Sequence, residues 1–314
     1  MAGDRPKTGA VDPIIRLTVR AVAEAVRFRP DLVLSMHVRT GYAAQAVRVL
    51  TGARWVQYYH AKEISEFAGA TARCVRHADA HVGPSRYTRS LLGRAGLPES
   101  AVRVLHPAAP AIDRPADAAP RRPHSMLTVA RLADENKGHD VIIRALAEVR
   151  REFGDVRWTV VGDGPMRPAL EGMAVEAGVD ELIDWRGSVG DEVRNRCLFE
   201  SDIFVMPSRI PVGPVGGEGF GIAYLEAAAA GLPVIAANEG GATDAVDPPS
   251  TGLLVDPRDP AAVATAVRTL FRSREGIEAM RSASSRWAAR FTWERLIDGL
   301  EEVFDSVPGG SSET

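Results

Sequence analysis

The sequence predicts an α/β protein built from two parallel-sheet units, and three observations carry that prediction. Short β-branched runs alternate with amphipathic helical segments over most of the 314 residues. Several runs are apolar along their whole length, as strands covered by helices on both faces must be. A Pro/Ala/Asp/Arg-rich stretch at 107–123 then interrupts the alternation and divides the chain. Together they describe two Rossmann-like domains, the first of them short.

The elements follow in order. The first domain opens with a helical pattern, PIIRLTVRAVAEAVRF (13–28), and not with a strand. Strands are then expected at DLVLSM (31–36), WVQYYH (55–60), AHVGPS (80–85) and VRVLH (102–106). The second domain offers HSMLTVAR (124–131), RWTVVGD (157–163), IDWRGS (183–188), DIFVMPS (202–208), PVIAAN (233–238) and GLLVD (252–256). HDVIIRALAEVRREF (139–153) has apolar residues at i, i+3, i+4 and i+7, which predicts an amphipathic helix. The domain boundaries expected are 1–115, 116–290, and 291–314 for a C-terminal helix with a low-complexity tail, PGGSSET.

Composition narrows the class. Hydrophobic residues make up 45% and charged residues 25%, values of a globular protein with an ordinary core. No apolar run is long enough to span a bilayer, and the first residues lack a signal-peptide pattern. Cys74 and Cys197 are far apart and form no metal spacing, so a reducing cytoplasm is the expected compartment. Residues 1–130 carry 19 Lys+Arg against 10 Asp+Glu, whereas residues 131–314 carry 19 against 31. Either the first half meets something anionic, such as the inner membrane face, or its basic residues are simply solvated. Nucleic acid is not an expected partner.

In open α/β sheets, ligands bind beyond the carboxyl ends of the strands. Three strand-to-helix junctions there carry candidate chemistry. In VARLADENKGHD, Arg131 and Lys137 flank one loop before a helix whose free amides would suit a diphosphate. Taken alone, both read as exposed charges on an ordinary βα loop. In VVGDGP, Gly162 lets the backbone approach a ligand, or makes a plain turn. In EGFGIAYLEAAAAGLPVIA, Glu218 ends a loop, Gly219-Phe220-Gly221 starts a helix, and Glu226 lies about two turns on. At 100° per residue the two carboxylates are about 80° apart and can face one site. Taken singly, Glu218 could serve the helix dipole and Glu226 solvent.

These stretches together resemble family 4 of the GT-B, retaining glycosyltransferases. Glu218 to Glu226 is its E-x7-E signature, within GGEGFGIAYLEAAAAGLPVIAANEGGATDAV. ARLADENKG, VVGDGP, WRGSV, DIFVMPSR and FTWERL recur in the family's order, and the wording is nearest to the phosphatidylinositol-mannoside mannosyltransferase branch. The resemblance covers nearly all of 125–296 and is looser over 30–110.

It implies a nucleotide diphosphate sugar donor, GDP-mannose or a UDP-hexose, and a hydroxyl acceptor that is a small molecule, glycan or lipid. Arg131 and Lys137 would neutralise the departing diphosphate. Glu218 and the Gly219, Phe220, Gly221 and Ile222 backbone would hold the sugar, Glu226 the ribose, and Gly187 and Ser188 would pass the base. Gly162 would lie by the donor, and His60, in YYHAKEI, would match the family's histidine beside the reacting sugar. With two cations on the diphosphate and no Asp-x-Asp in the chain, no metal or other cofactor is expected.

The resemblance also implies that FTWERLIDGLEEVF returns to the first domain, and that the first domain lacks its opening strands. At roughly 30 residues per βα unit, the resemblance leads one to expect two to three further units, roughly 60–90 residues, before Pro13. A fragment, a partner or a second copy covering the open sheet edge would each account for that. The alternative function is a nucleotide-sugar-binding subunit or scaffold that needs a partner to complete catalysis.

Overall fold

The computed structural model describes residues 13–133, 135–213 and 216–307. They fall into two compact units. The first holds residues 13–83, 88–105 and 298–307, and the second holds 84–87 and 106–297. The tail PGGSSET lies outside the described residues.

The first unit runs α1 (Pro13–Phe28), β1 (Leu32–Ser35), α2 (Gly41–Thr51), β2 (Arg54–Tyr58), α3 (Ala61–Glu66), α4 (Ala68–His77), β3 (Ala80–Gly83), α5 (Arg86–Arg94) and β4 (Val102–Val104). Its four strands are parallel and lie side by side in chain order, β1-β2-β3-β4. Every strand-to-helix loop therefore leaves the same end of the sheet. Trp55, Val56 and Val82 are fully buried. Burial of each such side chain is worth about 1.5–3 kcal/mol.

The second unit runs β5 (Ser125–Val129), α6 (His139–Val149), β6 (Arg157–Val161), α7 (Arg167–Glu176), β7 (Ile183–Gly187), α8 (Asp191–Glu200), β8 (Ile203–Met206), α9 (Ile222–Ala229), β9 (Val234–Ala237), α10 (Ala242–Ala245), β10 (Gly252–Val255), α11 (Pro260–Phe271) and α12 (Arg274–Ala288). A last helix, α13 (Trp293–Ser306), begins here, and its residues from Asp298 onward belong to the first unit. There Val303 and Val307 pack with Val56, Tyr58 and Val82.

The six parallel strands are ordered β10-β9-β8-β5-β6-β7. The chain proceeds outward from β5 to β7, then crosses back to place β8 on the other side of β5. That reversal makes the β5/β8 boundary a topological switch point, where the loops of two adjacent strands diverge and leave a crevice. The core around these strands is dense. The Trp158 indole N–H donates to Thr128 Oγ1 at 3.0 Å, and Thr128 Oγ1 donates to the Val205 carbonyl at 2.5 Å, linking β6, β5 and β8.

All ten expected strands are present, trimmed by one or two residues at most ends. Two helix boundaries differ from expectation. α6 ends at Val149 and not near 153. α9 starts at Ile222, because Gly221 has φ +92° and a β-carbon there would lie 2.3 Å from the Tyr224 ring. Glu218 is therefore in the preceding loop, and the 100°-per-residue relation to Glu226 does not apply.

Candidate functional site

The switch point is flanked by the loop after β5 and the loop after β8. In the first, Arg131 is exposed and Lys137 ends a single 3-10 turn, Glu135–Lys137. Gly138 follows at φ +75° as the N-cap of α6. A β-carbon there would lie 2.4 Å from the Pro207 carbonyl oxygen, so glycine seats this loop directly on the exit of β8. The Lys137 ammonium then donates a hydrogen bond to Glu218 Oε2. Arg209 fixes the turn from below. Its guanidinium is 3.0 Å from Asp140 Oδ1 and 3.1 Å from Glu135 Oε2, and the Arg209 backbone N–H donates to the Asn136 carbonyl at 2.8 Å.

Neighbouring glycines close the floor. Gly162 has φ +139°, and a β-carbon there would sit 1.9 Å from the Ala130 carbonyl oxygen. The loop after β6 is thus laid against the loop after β5, and Leu132 N–H donates to the Asp163 carbonyl at 3.0 Å. Gly162 N–H donates to the Gly187 carbonyl at 2.9 Å, tying in the end of β7. Gly187 is buried while Ser188, next to it, is exposed.

The loop before α9 is backed by a second glycine pair. Gly241 N–H donates to the Glu218 carbonyl at 2.8 Å, and a β-carbon at Gly241 would lie 2.2 Å from the Gly219 carbonyl oxygen. Ser85 Oγ donates to that same Gly219 carbonyl at 2.5 Å. The Phe220 ring is buried against His106 and Phe291, at 5.3 and 5.8 Å between centroids, so only its backbone is available to a ligand. Ile222, in the first turn of α9, is exposed. The first amides of a helix have no intrahelical acceptor and are free to donate outward.

Glu226 lies one turn into α9 with its side chain 15% exposed. Its nearest cation is Arg194 Nη1 at 3.6 Å, which is also 3.0 Å from Asp191 Oδ1. Burial raises the Glu226 pKa, and Arg194 opposes that shift. At that distance from Arg194, the Glu226 carboxylate keeps capacity to accept hydrogen bonds. Among the described residues, no three His, Cys, Asp or Glu side chains are grouped to hold a metal ion.

In the first unit, His60 follows β2 and precedes α3. Its Nε2 is 3.1 Å from the Met36 carbonyl, which follows β1. Burial lowers the His60 pKa, and the Met36 hydrogen bond works against that shift. Three residues on, Glu63 is 3% exposed, and burial pushes its carboxyl up to about 7.

The family model described as glycosyl transferases group 1 matches residues 123–273. Over 230 residues the chain is 34% identical to the GDP-mannose-dependent alpha-(1-6)-phosphatidylinositol monomannoside mannosyltransferase of Mycobacterium tuberculosis (strain CDC 1551 / Oshkosh), covering 69% of this chain and 59% of that protein. It is 36% identical over 230 residues to the protein of the same description from Mycolicibacterium smegmatis, covering 70% and 60%. The chain thus spans about three fifths of the length of these relatives. The crystal structure of Anabaena Alr3699/HepE in complex with UDP superposes with a TM-score of 0.79 at 19% identity, over 93% of this chain and 82% of that one. Sucrose-phosphate synthase from Thermosynechococcus elongatus gives 0.79 at 20%, over 96% and 81%. The fold is therefore GT-B, two Rossmann-like units.

Within residues 123–273, Lys137, Gly162, Glu218, Gly219 and Gly221 lie in loops at the carboxyl end of one sheet, Gly187 ends β7 at that same end, and Ile222 and Glu226 lie in the first two turns of α9. Lys137 and Glu218 meet directly, whereas Glu226 turns to α8. Sequence reasoning missed Gly240 and Gly241, which back the Glu218 loop, and Arg209, which anchors the Lys137 turn. A doubled glycine in NEGGATD was a readable signal for a close backbone approach; a lone Arg after a strand was not.

Proposed function

We propose that the chain transfers a hexose from a nucleoside diphosphate sugar to a hydroxyl acceptor, with retention at the anomeric carbon and without a metal. The observation that supports this most is the Lys137–Glu218 pair at the switch point, set over a glycine-lined floor and beside the first turn of α9. An ammonium carries three donors, so one bond to Glu218 leaves two for phosphate oxygens. Lys137, joined by the exposed Arg131, neutralises the charge that develops on the departing diphosphate. The Glu218 carboxylate keeps acceptor positions for sugar hydroxyls, and the backbone of Gly219–Ile222 donates to the sugar or phosphate. Glu226 accepts from the ribose hydroxyls, and Gly187 with Ser188 lines the base. In the first unit, the residue we assign to the transfer chemistry is His60, at the carboxyl end of that unit's sheet.

GDP-mannose is the donor we favour, because the mycobacterial relatives are described as GDP-mannose-dependent. The same descriptions name a phosphatidylinositol monomannoside, and we assign the acceptor to the membrane glycolipids. α1 supports contact with an anionic bilayer, since it interleaves Arg16, Arg20 and Arg27 with exposed Ile15, Val19, Val26 and Phe28. No helix among the described residues is long and apolar enough to cross a membrane. The test is transfer from GDP-mannose, UDP-glucose and UDP-galactose to a panel of glycolipids and free polyols in EDTA, with the product anomer read by NMR. A retained α-linkage from one donor supports the reading. An inverted product or strict metal dependence contradicts the corresponding part. Donor binding without turnover of any kind points to the binding-subunit alternative.

A further inference from the structure

Glu63 is a buried carboxyl group that the reading above does not use, and its contacts join two loops. Oε1 accepts a hydrogen bond from the His60 backbone N–H at 2.9 Å, in the loop after β2. Oε2 accepts from the Val38 backbone N–H at 3.2 Å and lies 2.9 Å from His37 Nε2, both in the loop after β1. Val38 is two residues beyond Met36, whose carbonyl is 3.1 Å from His60 Nε2. A carbonyl can only accept, so His60 Nε2 bears the proton and the neutral ring keeps its lone pair on Nδ1. We propose that Glu63 is the positioning residue for His60: by tying the loop after β1 to the loop after β2, it holds the imidazole as the Nε2–H tautomer against Met36. The inference rests on the role assigned to His60 in the proposed function.

Burying a carboxylate is a poor way to stabilise a fold, because desolvation opposes its hydrogen bonds. What the group supplies instead is two acceptor atoms rigidly spaced on one plane, each directed at a different loop. The other titratable groups around it do not compete for that role. Burial raises the pKa of Tyr59 and pushes the Cys74 thiol up to about 12, so both stay neutral. The Tyr59 hydroxyl is engaged with His81 Nδ1 at 2.9 Å, and Cys74 Sγ donates to the Val38 carbonyl at 3.5 Å, holding the same loop from its other side. His37 has its pKa lowered by burial, by His60 and by Arg39, against Glu66.

The experiment compares wild type, Glu63→Gln, Glu63→Ala, His60→Ala and the Glu63→Ala/His60→Ala double variant, with folding checked by circular dichroism. In the wild type, nitrogen-15 spectra of the histidine rings are expected to show a protected His60 Nε2–H. That signal is lost in Glu63→Ala and is partly recovered in Glu63→Gln, which retains one acceptor oxygen. Turnover falls roughly ten- to a hundredfold in Glu63→Ala with the donor KM unchanged, and Glu63→Ala adds no further loss on the His60→Ala background. A His60 Nε2–H that persists in folded Glu63→Ala overturns the inference, as do additive losses in the double variant. If Glu63→Ala does not fold, the same comparison is made with Glu63→Met, which fills the buried space and offers no carboxyl oxygen. Because the ring signal is read without substrate, it decides the matter even where the transferase reading fails.

Discussion

Lys137 and Glu218, 81 residues apart in the chain, are joined by a hydrogen bond across the boundary between β5 and β8. Their side chains are 27% and 15% exposed, so the pair is partly shielded from water and the bond is charge-assisted. Truncating either partner strands the other charge in that setting. Lys137→Ala is therefore expected to reduce kcat about a hundredfold or more, the scale on which removal of one transition-state donor acts. Steady-state transfer kinetics check this. A loss confined to KM would show that Lys137 only binds the donor.

In the proposed function Glu226 holds the ribose and so sets nucleotide affinity. Removing a hydrogen bond to a charged group costs about 1.5–3 kcal/mol, so Glu226→Ala is expected to weaken nucleotide binding roughly ten- to a hundredfold by calorimetry. The raised Glu226 pKa adds a pH signature. The ionised carboxylate is the form that accepts two hydroxyls, so affinity falls as the solution is acidified into that raised range. Glu226→Gln removes that dependence.

Gly241 separates close approach from backbone conformation. Its φ is −72°, which any residue can adopt, yet a β-carbon would meet the Gly219 carbonyl at 2.2 Å. Gly241→Ala is expected to push the Glu218 loop outward at a cost of about 1–3 kcal/mol. Thermal melting and donor KM should both worsen. An unchanged KM alongside a lowered Tm would mean that the loop re-seats without consequence for the donor.

The pH dependence of stability isolates Glu63. Its folded pKa of about 7 lies above the ordinary value of 4.5. Between those values the folded protein holds a proton that the unfolded chain has released. Stability from this group therefore declines as pH rises through the window, and the full cost of the buried charge is present above 7. Glu63→Gln has no such proton. Its stability relative to wild type is expected to rise from pH 5 to pH 7.5, measured by denaturant unfolding at each pH. A flat difference would place the Glu63 pKa near its ordinary value.

Much of the fold was legible because strand and helix periodicities are local. The runs LVLS, RWVQY, IFVM and VIAA carry their own evidence of burial, and each became a strand. Candidate site residues were legible as types at loop positions, since the carboxyl ends of strands are where an α/β sheet binds. Their pairing was not. Lys137 meets Glu218 because β8 crosses back beside β5, a strand order that no linear spacing encodes. The start of α9 was misplaced because a glycine's left-handed φ leaves no trace in a hydrophobic pattern. Glu63 was readable in principle, three residues after His60 in a capping-box spacing, but its reach to Val38 depended on β1 and β2 being neighbours.

The most direct measurement is calorimetric titration of the purified chain with GDP, UDP and their hexose conjugates in EDTA, repeated with Lys137→Ala and Glu226→Ala. The account predicts metal-independent binding of one nucleotide, GDP in preference to UDP, weakened in both variants. Binding that needs a divalent cation, or that survives unchanged in both folded variants, would contradict it.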